Sequence, residues 1–109
     1  MPSFSKNEVI LVRYPFSDLS APKIRPAVVV GAIDRSPDYL IVPLTSRSGR
    51  LGQGEFVLAD WAAAGLNLKS VIKRGVYTVH DNLILKSVGR LSVQDARQIE
   101  QSLRQWFEL

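Results

Sequence analysis

The sequence predicts a small, mostly antiparallel β-domain, a coiled barrel in outline, closed by a C-terminal helix. Short apolar, β-branched runs recur between clusters of turn residues, at Glu8–Tyr14, Ala27–Ile33 and Tyr39–Leu44, which is strand patterning. Only residues 93–107 carry apolar side chains at steps of three and four. A chain of 109 residues has room for one domain and one core, so 1–109 reads as a single unit.

In chain order, residues 1–7 read as a short tail and Glu8–Tyr14 as the first strand. Residues 15–22 form a loop bracketed by Pro15 and Pro22, longer than a tight hairpin needs. In Lys23–Val30, KIRPAVVV, Pro26 holds Arg25 extended, at the mouth of a run apolar enough to be buried on both faces. A turn at 34–38 leads into the third strand, which ends in Thr45, Ser46 and Arg47. Residues 45–54 form a loop with three glycines, suited to wrapping a phosphate backbone, before a short strand at Glu55–Leu58. Asp60 can cap a helical turn over 61–64 that Gly65 ends. Ser70–Lys73 and Val76–His80 read as one strand interrupted at Arg74-Gly75, plausible as a bulge. Leu83–Leu85 is a brief turn or strand, and Val88–Leu91 is the last strand. Ser92 through Asp95 resembles a capping box, and Val93, Ala96, Ile99, Leu103, Trp106 and Phe107 form the stripe of the final helix.

Charge and composition narrow the function. Zero cysteines remove disulfides and thiolate metal sites, and a single histidine argues against a multi-histidine centre, so no metal or cofactor is expected. No apolar run approaches the roughly 20 residues that span a bilayer, and the N-terminus does not read as a signal peptide. A cytoplasmic protein with no membrane partner is the expectation. The net charge is +4, and the excess lies in the loop-bearing middle: Lys23, Arg25, Arg35, Arg47 and Arg50, then Lys69, Lys73, Arg74, Lys86 and Arg90. Such a concentration points to an anionic partner, nucleic acid being the commonest, or simply to a solvated basic surface.

Three stretches in order, Glu8–Val12, Pro15–Ser20 and Arg25–Val30, resemble the N-terminal signature of the MazF/PemK-like toxins of bacterial type II toxin–antitoxin modules. The likeness continues through Val42–Ser46, Ser70–Lys73 and Val88–Ser92, so it covers nearly the whole chain. It implies an SH3-like antiparallel barrel of the CcdB/MazF type, a homodimer, a cognate antitoxin as partner, and metal-independent cleavage of single-stranded RNA or mRNA. It also implies that the arginine of the RPA(V/L)V motif and the threonine of the TS motif, here Arg25 and Thr45, carry the chemistry. One departure stands out: where family members often have an acidic residue in a TxD-like motif, Thr78-Val79-His80 puts a histidine, with Asp81 one place later.

The implied reaction needs no external nucleophile. The 2′-hydroxyl attacks the adjacent phosphorus in line and expels the 5′-oxygen, leaving a 2′,3′-cyclic phosphate and a 5′-hydroxyl. The protein must orient that attack, stabilise phosphoryl charge and handle two protons. Arg25 offers a planar fork of donors, but with a pKa above about 12 it is a poor base near neutrality. Thr45 offers a hydroxyl to a non-bridging oxygen, with Ser46 beside it. RNA contacts are expected from Lys23, Ser46, Arg47 and Arg50, from Phe16 and Ser17 in the proline-bracketed loop, and from His80, whose ordinary pKa lies nearest neutrality. On the residues alone, Arg25 reads as an ion-pairing arginine at a strand start and Thr45 as an ordinary strand-end hydroxyl; the resemblance gives both their roles. Two alternatives remain: a non-catalytic barrel that binds RNA or protein, and a gyrase poison of the CcdB type, although the Gln105–Leu109 ending lacks that family's Trp-Gly-Ile.

Overall fold

The computed structural model describes residues 3–14, 23–47 and 49–109. Seven strands build one antiparallel sheet: β1 (Glu8–Tyr14), β2 (Lys23–Ala32), β3 (Asp38–Thr45), β4 (Phe56–Val57), β5 (Val71–Ile72), β6 (Tyr77–His80) and β7 (Ile84–Arg90). A 3₁₀ turn at Asp81–Leu83 and a helix α1 (Val93–Phe107) complete the chain. The strand order is β4-β5-β3-β2-β1-β7, with β6 also pairing with β3. Among the described residues no ladder joins β7 back to β4 or β6, so the sheet stays open where a closed barrel was expected.

The central strands are buried on both faces, which is why their sequences run apolar instead of alternating. Val9, Val28, Val42 and Leu44 face one core together with Leu58, Ile72, Leu91 and Ile99. Their neighbours Ile10, Val12, Ala27, Val29 and Ile41 face a second core on the opposite side, with Val79 and Ile84. Successive residues thus enter different cores, as the two-residue period of a strand requires.

β2 starts at Lys23, four residues before the sequence pattern placed it, because pairing with β1 continues past Pro26: Pro26 lies opposite Leu11, Arg25 opposite Val12 and Lys23 opposite Tyr14. Arg25 is therefore inside a strand rather than at its mouth. The break at Arg74-Gly75 is as expected. β5 pairs with Leu44 and Thr45, β6 pairs with Asp38–Ile41, and both lie along the same edge of β3. Residues 3–7 are no loose tail. Phe4 meets Tyr39 edge to face at 5.4 Å, and Asn7 bonds backbone to backbone with Val29 and Leu91. The segment after Asp60 makes turns rather than a helix, and Gly65 leaves it with φ +91°. There the chain crosses β7 so closely that a Cβ on Gly65 would collide with the Val88 carbonyl, and one on Gly89 with that of Ala64.

The helix begins as half a capping box. Ser92 accepts from the Asp95 N–H at 3.2 Å, but the Asp95 carboxylate turns inward instead of back to Ser92. It accepts the Ala59 and Asp60 N–H groups, each at 2.9 Å, and is 2% exposed. Ile99 is buried and Ala96, Leu103 and Trp106 pack against the first core, whereas Val93 and Phe107 are 69% and 57% exposed and leave the expected stripe. Ser102 takes a buried place instead, donating to the Gly54 carbonyl at 2.7 Å. Asp95→Ala removes two charge-assisted bonds and orphans two backbone donors, so it should destabilise the fold by about 2–4 kcal/mol. Asp95→Asn, which keeps one acceptor, should cost roughly half as much. Urea midpoints for the two variants check this, and equal midpoints for wild type and Asp95→Ala would refute it.

Candidate nucleic-acid interface

Arg25 and Thr45 come together through the register of β2 and β3. The ladder pairs Val28 with Val42 and ends at Ala27 with Pro43, and Arg25 and Thr45 each lie two residues beyond that last pair. Both side chains line two adjoining depressions, of about 410 Å³ and 350 Å³, which share Arg25, Leu44 and Thr45. The result is one groove with this pair at its middle. The Thr45 Oγ1 accepts the Arg47 N–H at 3.2 Å, so the oxygen is held by backbone and the hydroxyl retains its own proton as a donor.

The two halves of the groove differ in chemistry. The larger has a partly apolar lining that includes Leu11, Pro26, Leu66 and Val88, together with Ser46, Asn67, Ser70 and Lys86. The smaller is lined by Lys23, Arg47, Lys73 and Tyr14. Five cations, Lys23, Arg25, Arg47, Lys73 and Lys86, thus line the groove, and no carboxylate is among its described lining residues. A concave surface with one sign of charge concentrates anions. Burial, reinforced by Tyr77, pushes the Tyr14 phenol up to about 12, while the Arg25 charge pulls the other way. Tyr14 therefore offers a neutral phenol close to a guanidinium.

Glu55 sits behind this surface. Its Oε1 accepts the Gly52 N–H at 2.7 Å, its Oε2 accepts the Arg74 N–H at 2.9 Å, and the Lys73 Nζ lies 3.3 Å from Oε2. These bonds, the Arg74 and Gly52 amides foremost, hold its carboxyl below the ordinary 4.5 against the opposing effect of burial.

Of the residues expected to meet RNA, Lys23, Ser46 and Arg47 join Arg25 and Thr45 in the groove. Arg50 is exposed but lines neither half. Phe16 and Ser17 lie outside the described residues. His80 is not brought to the site. It pairs with Asp38 at the far end of the eight-residue β3, up to about 23 Å from Thr45 at a strand rise of about 3.3 Å. Its Nδ1 lies 3.1 Å from the Asn82 N–H and 3.0 Å from the Asp81 Oδ1, so the ring is committed to the local turn whether neutral or protonated. Asp81, the displaced acid of the TxD-like motif, is held at the same end.

Lys73 and Lys86 were legible in the sequence only as part of a basic count, and Tyr14 only as the last residue of the first strand. Lys73 could have been found from Ser70–Lys73, because a strand pairing beside Thr45 carries its next residue to the same end.

A model of the PemK-like, MazF-like toxins of type II toxin–antitoxin systems matches residues 5–107 of this chain. The chain belongs to that family. The PemK/MazF-like fold recurs in solved structures of low sequence identity. An endoribonuclease in complex with its cognate antitoxin from a mycobacterial species superposes with TM-score 0.75 at 13% identity, covering 98% of this chain and 97% of that one. The Mycobacterium tuberculosis toxin MazF-mt6 gives 0.74 at 17% identity, with 94% and 97% covered. Another solved structure, of an endoribonuclease from a mycobacterial species, gives 0.73 at 15%, with 100% and 95% covered. No curated protein matches the chain significantly. Among the described residues of this MazF-like toxin no helix is long and apolar enough to cross a membrane.

Because Glu55 titrates lower in the folded than in the unfolded chain, its stabilisation is complete above about pH 4.5 and is lost as pH falls through the lower native value. Glu55→Gln should therefore flatten the acid limb of the stability curve. Denaturant midpoints between about pH 3 and 6 measure the difference; parallel curves for the two proteins would contradict the assignment.

Proposed function

We propose that this PemK/MazF-like toxin is an endoribonuclease that cuts single-stranded RNA at the Arg25–Thr45 pair without an added metal. The observation that carries the reading is the shared groove, in which a guanidinium and a hydroxyl sit amid cations and no described carboxylate. Arg25 clamps the non-bridging oxygens as negative charge builds on the phosphoryl group, and Thr45 donates to one of them, with Ser46 at its side. The RNA 2′-hydroxyl attacks phosphorus and the 5′-oxygen departs, giving cyclic phosphate and 5′-hydroxyl ends. Lys23, Arg47 and Lys86 hold flanking phosphates. The apolar part of the larger half's lining accepts a base face that only an unpaired strand can turn outward. The solved relative described with its cognate antitoxin supports control by an antitoxin here, and the family supports a homodimer acting on mRNA in the cytoplasm to stop growth.

One observation favours a second reading, a module that binds RNA without cutting it. Among the described lining residues none has an ordinary pKa near neutrality, since the groove holds arginines, lysines and a tyrosine raised to about 12. Incubating the purified protein with single-stranded RNA in EDTA separates the two. The nuclease reading expects fragments ending in 2′,3′-cyclic phosphate and 5′-hydroxyl. Arg25→Ala should slow their appearance by about 10²–10³-fold with an unchanged melting curve. RNA that is bound but left intact establishes the second reading instead.

A further inference from the structure

We infer that Lys73 is a phosphate-binding residue of the groove and that Glu55, hidden behind it, is the residue that positions it. The inference rests on the RNA-binding reading above and deepens it. Three structural features lead to it. Lys73 lines the cationic half beside Arg25, Thr45 and Arg47, while Glu55 lines neither half. The Glu55 side chain is 8% exposed and that of Lys73 is 47% exposed, so the groove presents the ammonium and conceals its counter-charge. The Lys73 backbone is fixed as well, its N–H donating to the Pro43 carbonyl at 3.0 Å, two strand positions before Thr45.

Glu55 does more than pair with an amine. Its two backbone bonds join the Gly52–Glu55 turn, the end of the loop that carries Arg47 and Arg50, to the interruption between β5 and β6 at Arg74. One carboxylate thus fixes both the lysine and the base of an arginine-bearing loop to the end of β3. An ammonium has three donors, and the 3.3 Å contact to Glu55 engages one of them, leaving the others for a phosphate oxygen. A lysine on a four-carbon stem loses much rotamer freedom when it binds, and a partner that holds it in place beforehand removes part of that cost. The single-charge partner also keeps the net field of the groove positive, because Lys23, Arg25, Arg47 and Lys86 have no carboxylate beside them among its described lining residues.

The test is a set of four proteins, wild type, Lys73→Ala, Glu55→Gln and the double variant, binding a fluorescent single-stranded 2′-O-methyl oligonucleotide that cannot be cleaved. Lys73→Ala should weaken binding about tenfold at low salt and reduce the slope of log affinity against log salt by about 0.7. Glu55→Gln should weaken binding in the same direction, and in the Lys73→Ala background its effect should shrink to the smaller part that comes from the arginine-bearing loop. Lys73→Arg should recover most of the affinity. On unmodified RNA the same single variants should raise KM with little change in kcat, which loss of folded protein would not do. An unchanged salt slope in Lys73→Ala overturns the inference, as does an equal additional loss from Glu55→Gln whether or not Lys73 is present. Should Glu55→Gln fail to fold, the slope for Lys73→Ala still decides. Wild-type protein that binds the oligonucleotide but leaves unmodified RNA intact would refute the nuclease reading alone.

Discussion

The ladder between β2 and β3 sets where the two central polar side chains of the groove, Arg25 and Thr45, stand. Both strands are buried on two faces, so a slip of one residue would swap the side chains of one core with those of the other and leave each badly filled. Val28 against Val42 and Ala27 against Pro43 cannot move without moving Val29 and Ile41 in the opposite core. With the register locked, Arg25 and Thr45 reach the same end of the sheet at fixed separation. The apolar interior is thereby converted into positional accuracy for two polar side chains at its margin, which is what catalysis or tight phosphate binding requires.

Around that pair the polar interactions keep negative charge out of sight. Glu55 is covered by the turn and bulge whose amides it accepts. Asp95 is buried against Ala59 and Asp60. His80 and Asp81 are held at the remote end of β3. What faces the groove is a row of cations with a neutral phenol and hydroxyls between them. A modest net charge of +4 thus becomes a strongly polarised surface, and the distribution matters more than the total.

Much of this was legible from the order of the residues. The bounds of β1, the double burial of Ala27–Val29, the interrupted strand at Arg74-Gly75 and the helix after Ser92 all follow from local pattern, because strand and helix periods act over a few residues. Four features did not. Strand β2 extends back through Arg25 because β1 is there to pair with it, and pairing is non-local. Asp95 reads as the second half of a capping box, yet the structure spends it on a loop thirty-five residues away. His80 drew notice for its pKa, but only the ladder with Asp38 reveals that it stands at the end of β3 opposite Thr45. The open edge between β7 and the β4–β6 side is likewise a property of the whole sheet, invisible in any one strand.

The most direct measurement is a backbone and side-chain NMR titration of the protein with a short, non-cleavable single-stranded RNA. If the β2–β3 register builds the binding groove, shifts will concentrate at Arg25, Thr45, Ser46, Arg47 and Lys86, and the His80 resonances will stay in place. Shifts centred on His80 and Asp81, with Arg25 and Thr45 unmoved, would contradict it.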